Sequence, residues 1–196
     1  MFNASMEPRP KITTGYTLVQ LLVTLAIAST LLGLSFPTLT QLIAQQRASA
    51  ASNAIVGAVN FARASAIVHA VTVTMCPRDG EHCGNRDHWN RGALIYADHN
   101  ANGRRDNGDA LFGVMPALER GAQLSWRAFR NRSYLQFTAR GYTAWQNGTF
   151  QYCPASREAR FSRAIIINAQ GRVALSRDND GDGIAEYANG DPLSCG

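Results

Sequence analysis

The sequence predicts an α+β protein in which one long N-terminal helix packs on an antiparallel sheet or sandwich. No charged residue occurs between Lys11 and Arg47. Hydrophobic residues then recur at helical spacing over Thr38–His69. From Ala70 onward, short apolar or alternating runs are separated by Gly, Asn, Asp and Pro. A helix followed by many short strands is typical of the α+β class.

The uncharged segment Thr17–Phe36 is predicted to be a membrane-spanning helix. Its 20 residues are mostly Leu, Ala, Val, Ile and Thr, and such a helix is long enough to cross a hydrocarbon core of about 30 Å. Arg9 and Lys11 precede it, which predicts that the leader stays in the cytoplasm and the rest lies outside it. A secretory signal peptide has a shorter apolar stretch. An uncleaved signal anchor stays open as the simpler alternative.

The helical pattern continues beyond Pro37. Hydrophobic residues recur at three- and four-residue intervals from Leu39 to Val68, and Gln, Asn and Arg occupy the other face. Because Pro37 lies inside this long pattern, we expect it to bend the helix rather than end it. The first half of the helix is expected in a membrane or filament core, and the amphipathic second half on a globular head.

The remainder of the chain carries strand signals. The β-branched run Val71–Met75 comes first, and it is followed by Ala93–Tyr96, Leu111–Val114, Leu124–Trp126, Tyr134–Phe137, Gly148–Tyr152, Ala164–Ile167 and Arg172–Ser176. A segment of this length suffices for one domain with its own core.

The junction Gly15-Tyr16-Thr17-Leu18-Val19-Gln20 resembles the N-terminus of type IV pilins and of the pseudopilins of type II secretion systems. Those precursors have a short basic leader that ends in Gly, an aromatic or Met residue first in the mature chain, and then Thr-Leu-x-Glu-Leu and an apolar helix. Pro37 also falls where many pilins have a helix-bending proline. The resemblance implies that prepilin peptidase cleaves between Gly15 and Tyr16 and methylates the new N-terminus.

The same resemblance implies a division of the chain into three parts. Residues 1–15 would be the prepilin leader, and residues 16–38 the helix of the membrane or filament core. Residues 39–196 would be a periplasmic head that includes the amphipathic half of the helix. The protein would cross the inner membrane once before it is assembled into a pilus with other major and minor pilin subunits.

Gln20 departs from the family pattern, which has Glu at the fifth mature position. In the family that carboxylate is thought to pair with the N-terminal ammonium of a neighbouring subunit, and apolar surroundings strengthen such a pair. Gln20 can accept a hydrogen bond but cannot neutralise the ammonium. Two interpretations stay open: a neutral residue costs less to insert into the membrane, or the chain is a minor subunit at the tip or in the initiating complex, where no neighbour needs the contact.

The order of motifs in the head resembles the GspH/FimT group of minor pilins and pseudopilins. Asn60–Cys76 reads NFARASAIVHAVTVTMC, and Trp89-x-x-Gly92, Ala93–Tyr96 and an Asp/Asn/Gly loop at Asp98–Gly103 follow. The resemblance spans roughly Gly15–Val173 and implies a pilin-like head.

The chain has four cysteines: Cys76, Cys83, Cys153 and Cys195. Since the head is expected outside the cytoplasm, disulfides are predicted. We favour Cys76–Cys83, which closes the CPRDGEHC turn, and Cys153–Cys195, which ties the C-terminal tail to the sheet. Zinc binding is the alternative, because His82 and His88 lie nearby, but the six-residue gap between the first two cysteines does not match the usual spacing of zinc ligands.

Two acidic loops have the ligand spacing of calcium-binding loops. The oxygen-bearing residues of the first loop are Asp98, Asn100, Asn102, Asp106 and Asp109, and those of the second are Asp178, Asp180, Asp182 and Glu186. Asp, Asn and Gly are also typical of ordinary turns, because they accept left-handed backbone conformations. The flanking helices of an EF-hand are absent from both loops. Calcium binding and ordinary turns therefore both stay open.

Basic residues are concentrated in Arg120–Arg177, which contains ten Arg and one acidic residue, Glu158. Aromatic residues lie among them, and such a surface suits phosphate contact and base stacking. DNA binding is therefore a hypothesis, with these candidate residues: Arg127, Arg130, Arg132, Arg160, Arg163, Arg172 and Arg177. Solvated surface arginines are the simpler interpretation.

Some relatives in this group act as DNA receptors in natural transformation and use a C-terminal Gly-Arg-x-Arg motif. The corresponding stretch here is Gly171-Arg172-Val173-Ala174, which lacks the second Arg. Five acidic residues follow within Asp178–Asp191 and would repel a phosphate backbone. This departure weakens the resemblance at the DNA-binding motif.

No Gly-x-Ser-x-Gly, His-Glu-x-x-His or phosphate-binding loop is present, so the chain is not expected to be an enzyme or to need a cofactor beyond calcium. The resemblance implies a minor pilin that enters a type IV pilus by packing of its N-terminal helix, helps to initiate or cap the filament, and supports adhesion and twitching motility. The alternatives are a DNA-binding minor pilin for DNA uptake and a minor pseudopilin of a type II secretion system.

The processing hypothesis predicts the N-terminus of the membrane-extracted protein. Edman degradation or mass spectrometry should find N-methylated Tyr16 as the first residue, because the peptidase cuts after Gly15. An intact Met1, or a cut beyond Pro37, would contradict the pilin resemblance.

Overall fold

The computed structural model of the protein describes residues 15–196, and for residues 34–38 only the backbone. Residues 1–14, which include Arg9 and Lys11 of the expected leader, lie outside the described residues. The chain divides into an N-terminal unit that ends at Leu42 and a head unit, Ile43–Gly196. The sequence-based boundary between residues 38 and 39 stays a prediction.

A single helix, α1, spans Leu18–His69 and continues through Pro37, as the sequence predicts. It begins with a capping box, since the Gln20 amide donates to Thr17 Oγ1 (3.2 Å) and the Thr17 amide donates to Gln20 Oε1 (3.0 Å). It ends where Ala70 adopts a positive φ of 52°. The Val71 amide then donates to the Ala66 carbonyl (3.3 Å), which satisfies one of the last helical carbonyls.

Nine antiparallel strands follow, in two sheets. The first sheet contains β1 (Val73–Asp79), β2 (His82–Cys83), β3 (Ala93–Ala97), β4 (Leu111–Met115) and β6 (Leu135–Phe137). The second contains β5 (Gln123–Ala128), β7 (Gly148–Cys153), β8 (Arg163–Ile167) and β9 (Val173–Leu175) in the order β5-β7-β8-β9. Short 3-10 helices span Arg86–Arg91 and Ala159–Phe161. The α+β class and the antiparallel sheets agree with the sequence-based prediction.

The head unit has one main core, shared by α1 and both sheets. The helix contributes a narrow buried face of mainly small residues: Ala48, Ser52, Ile55, Val59, Ala62 and Ala66. The largest side chains come from outside the helix, where the Phe150 ring packs against Trp89 (4.7 Å between centroids) and Trp126 (4.3 Å). Small helical residues permit close approach to the sheets, and large aromatic rings fill the space between the strands.

The sequence-based assignment of the buried stripe of α1 is partly wrong. Ile55 and Val59 are buried, but Phe61, Ile67 and Val68 are exposed. Helical spacing assigned Ala62, which is buried, and Phe61, which is exposed, to the same stripe, because spacing takes no account of where the sheets contact the helix. Within the described residues, Leu39–His69 is long and apolar enough to span a membrane by length and composition, but 39% of its apolar 18-residue window is buried in the protein. Leu18–Gly33 is a shorter apolar stretch.

Both favoured disulfides are present, with Cα–Cα distances of 5.5 Å for Cys76–Cys83 and 5.7 Å for Cys153–Cys195. All four cysteines lie in the described part of the chain and are paired, so none of them is left to act as a zinc ligand. The second disulfide holds the C-terminal segment against the outer face of the second sheet. There Ala185 and Leu193 pack on Ala164, and the Gln151 side-chain amide donates to the Ser194 carbonyl (2.6 Å).

Asp98 is the most deeply buried acidic residue of the head, with no exposed surface. Its Oδ2 accepts hydrogen bonds from Thr74 Oγ1 (2.7 Å), Gln136 Nε2 (2.9 Å) and the Gly103 amide (2.8 Å). Its Oδ1 accepts one from the Asn102 amide (3.1 Å). These donors compensate the cost of burying the carboxylate and join the 98–109 loop to strands β1 and β6. The burial of neighbouring Tyr96, and secondarily the charge of Asp98, raises the pKa of that phenol.

Replacing Asp98 with Ala should lower the free energy of unfolding by about 3 kcal/mol, because three buried donors and one partly buried donor lose their acceptor. Denaturant unfolding of the full-length protein in a non-ionic detergent measures this. Asp106→Ala is the matched control in the same loop, and since Asp106 is exposed its loss should be much smaller than that of Asp98→Ala. Equal losses for the two variants would show that the buried network does not hold the loop.

Candidate functional sites

The N-terminal unit presents an exposed apolar helix. Its large apolar side chains are more than half exposed: Leu18, Val19, Leu21, Leu22, Val23, Leu25, Ile27, Leu31 and Leu32. The hydroxyls of Thr24, Ser29 and Thr30 donate to carbonyls three residues earlier at 2.8–2.9 Å, so these polar groups are satisfied within the helix. An apolar surface of this extent requires lipid or another protein to cover it.

The expected processing and assembly residues all lie at the start of this helix. Gly15 has no neighbour within 4 Å of where a side chain would begin, and Tyr16 is 91% exposed. Gln20 closes the capping box with Thr17. This role was missed at the level of sequence, although Thr-x-x-Gln ahead of an apolar run is a recognised capping signal.

The first acidic loop is a hydrogen-bonded turn. Asp98 is turned into the core, as described above. Asp106 Oδ2 accepts hydrogen bonds from Asn100 Nδ2 (2.9 Å) and Asn102 Nδ2 (2.7 Å), and these bonds lower the pKa of the Asp106 carboxyl. The side-chain oxygens of Asn100 and Asn102 accept backbone amides at 3.2 and 2.7 Å. Asp109 is engaged in the same way, because its Oδ2 accepts the Asp106 amide (2.9 Å). The side-chain oxygens of this loop therefore accept hydrogen bonds from the loop's own amides and, for Asp98, from strands β1 and β6.

The second acidic loop does bring its carboxylates together. Oxygen atoms of Asp178, Asp180, Asp182 and Glu186 all lie within 4.8 Å of one another. The first three residues are exposed and Glu186 is buried. Asp178 also accepts the backbone amides of Gly181 (2.7 Å) and Gly183 (2.9 Å), which fixes the turn that gathers the four carboxylates.

The structure separates the candidate DNA-binding arginines between two ends of the second sheet. We call one the Ala128 end, where Ala128, Gly148, Ile167 and Val173 are in register, and the other the Gln123 end, which begins at Gln123 and Cys153. Arg127, Arg130, Arg132 and Arg172 lie on segments that leave the Ala128 end, and Arg160, Arg163 and Arg177 lie at the Gln123 end. The sequence-based set is therefore not one surface.

At the Gln123 end, two of the three candidate arginines are engaged within the protein. Arg160 pairs with Glu158. Arg163 donates to the carbonyls of Arg160 (3.0 Å) and Ser162 (2.7 Å), and its partial burial lowers the pKa of its guanidinium. The acidic C-terminal segment packs near the same end. Electrostatic attraction for phosphate is accordingly weakest there.

At the Ala128 end the arginines are exposed, and two aromatic side chains are exposed with them. Phe129 is 71% exposed and Trp145 is 70% exposed. Two other aromatic residues of the sequence-based set do not contribute. Trp126 is in the core, and Tyr134 is covered by Arg132, whose guanidinium lies 5.9 Å from the ring centroid.

Gly171 and Arg172, which match the start of the relatives' DNA-binding motif, lie at the turn between β8 and β9. Gly171 has a φ of 74°, and a Cβ there would lie 2.4 Å from the Gly141 carbonyl oxygen. Arg63 Nε of α1 donates to that same oxygen (2.9 Å). Gly171 is therefore required for the close contact of its turn with the turn at Gly141 and with Arg63 of α1. This structural role does not depend on a ligand bound by Arg172.

A groove of about 340 Å³ runs between α1 and β4. It is lined by these residues: Ala54, Gly57, Ala58, Phe61, Ile95, Gly113, Val114, Met115 and Pro116. The groove is lined by apolar side chains and glycines.

Comparison with known proteins gives a family match over the head. The family model described as "Type II transport protein GspH" matches residues 51–171, and no curated protein matches the chain. The fold is similar to that of the type IV minor pilin FimU of Pseudomonas aeruginosa (strain PAO1) in two crystal forms. In space group P21 the identity is 19%, the TM-score is 0.50, and the match covers 80% of this chain and 97% of that chain. In space group P65 the identity is 19%, the TM-score is 0.48, and the match covers 77% and 98%.

The matched residues 51–171 make up more than half of the chain. They run from the packed half of α1 to the turn between β8 and β9, and so include most of the two-sheet core. The fold and the family match agree, and the chain belongs to the GspH family of type IV minor pilins and pseudopilins.

Proposed function

We propose that this chain is a minor subunit of a type IV pilus, which enters the filament through its N-terminal helix and helps to initiate or cap assembly. The exposed apolar surface of Leu18–Gly33 carries this proposal. In the membrane, lipid covers that surface, and in a filament, helices of neighbouring subunits replace the lipid. Because both environments are apolar, the exchange costs little free energy. Adhesion and twitching would follow from the presence of the assembled pilus.

Gln20 supports a place at the end of the filament. Its side-chain oxygen is engaged by the Thr17 amide in its own helix, and it has no charge to offer a neighbour's N-terminal ammonium. A subunit with no neighbour at that position loses nothing by this change. The first subunits of a filament and the subunits at its tip satisfy that condition.

Processing and location complete the proposal. Prepilin peptidase would remove residues 1–15. Before assembly, the processed protein would remain in the inner membrane with its head in the periplasm. The two disulfides support an oxidising compartment for the head.

Two related functions are the alternatives. A pseudopilin of a type II secretion system would use the same helix and head, and the description of the matched family favours it. A DNA-binding minor pilin for DNA uptake is favoured by the exposed arginines of the Ala128 end. Neither alternative changes the assembly step, but each predicts a different defect when the subunit is missing.

We further propose that the second acidic loop binds calcium. Four carboxylates within 4.8 Å of one another repel each other unless a cation lies among them, and hard oxygen ligands suit calcium. Binding would hold the segment that carries Ala185 and Leu193 onto the second sheet.

Deletion of the gene, followed by separate assays of surface piliation, protein secretion and DNA uptake, tests the proposed function. Piliation and twitching should fall, and the wild-type gene should restore them, whereas secretion should be unchanged. Complementation with Gln20→Glu should also restore piliation, because a tip subunit tolerates either residue. Loss of secretion with normal piliation would contradict the pilus assignment and favour the pseudopilin alternative.

Calcium should bind the calcium-free full-length protein in detergent with measurable heat by isothermal titration calorimetry. The double variant Asp180→Asn, Asp182→Asn should abolish that heat, because it removes two of the four charges. Asp106→Asn in the first loop is the control and should leave the heat unchanged. No heat from the wild-type protein, or equal loss in the control, would contradict the calcium proposal.

A further inference from the structure

We infer that Arg127, Phe129, Arg130 and Trp145, which we call the Phe129–Trp145 surface, bind single-stranded nucleic acid. The inference rests on the DNA-binding alternative given above. It assigns that alternative to one place in the fold, and it names the form of nucleic acid that this place can recognise.

The surface is assembled from two turns that are joined by the backbone. The Phe129 amide donates to the Asn147 carbonyl (2.9 Å), and Trp145 lies two residues before Asn147. Arg127 is opposite Thr149 on β7, and Ala128 is opposite Gly148. Residues 127–130 and the segment that carries Trp145 thus lie next to each other at the Ala128 end of the second sheet.

The two aromatic rings point away from the core. Each is about 70% exposed, as given above, so neither contributes much to core packing. Trp145 also has a positive φ of 59°, which is uncommon for a bulky residue and conformationally unfavourable. Hydrogen bonds from the Trp145 amide to the Thr143 carbonyl (2.8 Å) and from the Ala144 amide to the Gln136 carbonyl (3.1 Å) hold that conformation. The fold therefore maintains an exposed indole at a conformational cost.

The positive charge of this surface is not neutralised within the described part of the chain. No Asp or Glu occurs between Glu119 and Glu158, and none occurs on β8 or β9. The ion pairs among the described residues involve neither Arg127 nor Arg130. The acidic C-terminal segment contacts Gln151, Cys153 and Ala164, towards the Gln123 end. The guanidinium groups of Arg127 and Arg130 are therefore available to an anionic partner.

The alternation of rings and guanidinium groups favours nucleic acid over a membrane. Residues 127–132 read Arg-Ala-Phe-Arg-Asn-Arg, so insertion of Phe129 into a membrane would require Arg127 and Arg130 to keep their guanidinium groups at the level of the headgroups. A nucleic acid strand presents bases and phosphates in the same alternation. Because a duplex hides its base faces, only a single strand can stack on Phe129 and Trp145, while its phosphates contact the arginines.

Fluorescence anisotropy with three labelled probes of equal length tests the inference: oligothymidine, the same strand without bases, and a duplex. The full-length protein in a non-ionic detergent should bind oligothymidine at least about tenfold more tightly than the abasic strand. Trp145→Ala and Phe129→Ala should each remove most of that preference and leave the affinity for the abasic strand unchanged. Arg127→Ala should weaken binding of all three probes and reduce the salt dependence.

Matched variants keep the test specific. Trp145→Tyr keeps an aromatic ring and should retain most of the preference. Arg120→Ala removes an exposed arginine near the Gln123 end and should have little effect. Unchanged thermal unfolding shows that each variant is folded.

Three results would overturn the inference: equal affinity for the oligothymidine and abasic strands, a preference for the duplex, or displacement of all probes by a short-chain anionic phospholipid. The last result would assign the surface to membranes. Normal piliation in cells that carry Trp145→Ala is expected in every case, so failure of this inference is distinguishable from failure of the pilus assignment.

Discussion

The close packing of the alanine-rich face of α1 against both sheets is the contact on which the head depends. Ala48, Ala62 and Ala66 have no exposed surface, and their small side chains let the helix backbone approach the strands. The large rings of Trp89, Trp126 and Phe150 then fill one core that both sheets share. Because interiors are packed to near-crystalline density, a larger residue at one of these alanines would have to displace that core.

The connecting segments emerge from this core at the ends and outer faces of the sheets. Two of them are held in place by different interactions. Buried Asp98 holds the 98–109 loop through four donors. The Cys153–Cys195 disulfide holds the C-terminal segment. The two ends of the second sheet consequently differ in chemistry: arginines are engaged beside acidic residues at the Gln123 end, and exposed beside aromatic rings at the Ala128 end.

The N-terminal unit differs from the head in where its apolar side chains lie and in how its polar groups are satisfied. Its apolar side chains remain exposed, and its hydroxyls and first amides are satisfied locally by side-chain contacts and the Thr17–Gln20 capping box. A helix of this kind is stable in lipid because its polar groups need no water. The same property suits transfer into a bundle of similar helices.

The sequence by itself determined the long helix, the antiparallel α+β class, the family and the favoured disulfides, because these depend on local periodicity, on short motifs and on the parity and spacing of Cys76, Cys83, Cys153 and Cys195. It could not determine which residues of α1 are buried, since spacing does not distinguish Ala62 from Phe61 until the sheets are in place. The two acidic loops have the same ligand spacing in the sequence, but their first residues differ in the structure. Asp98 is buried in the core, whereas Asp178 lies close to its neighbouring carboxylates. Only the tertiary structure separated the arginines into two groups, because the strand register, and not the order of residues along the chain, decides which side chains share a surface.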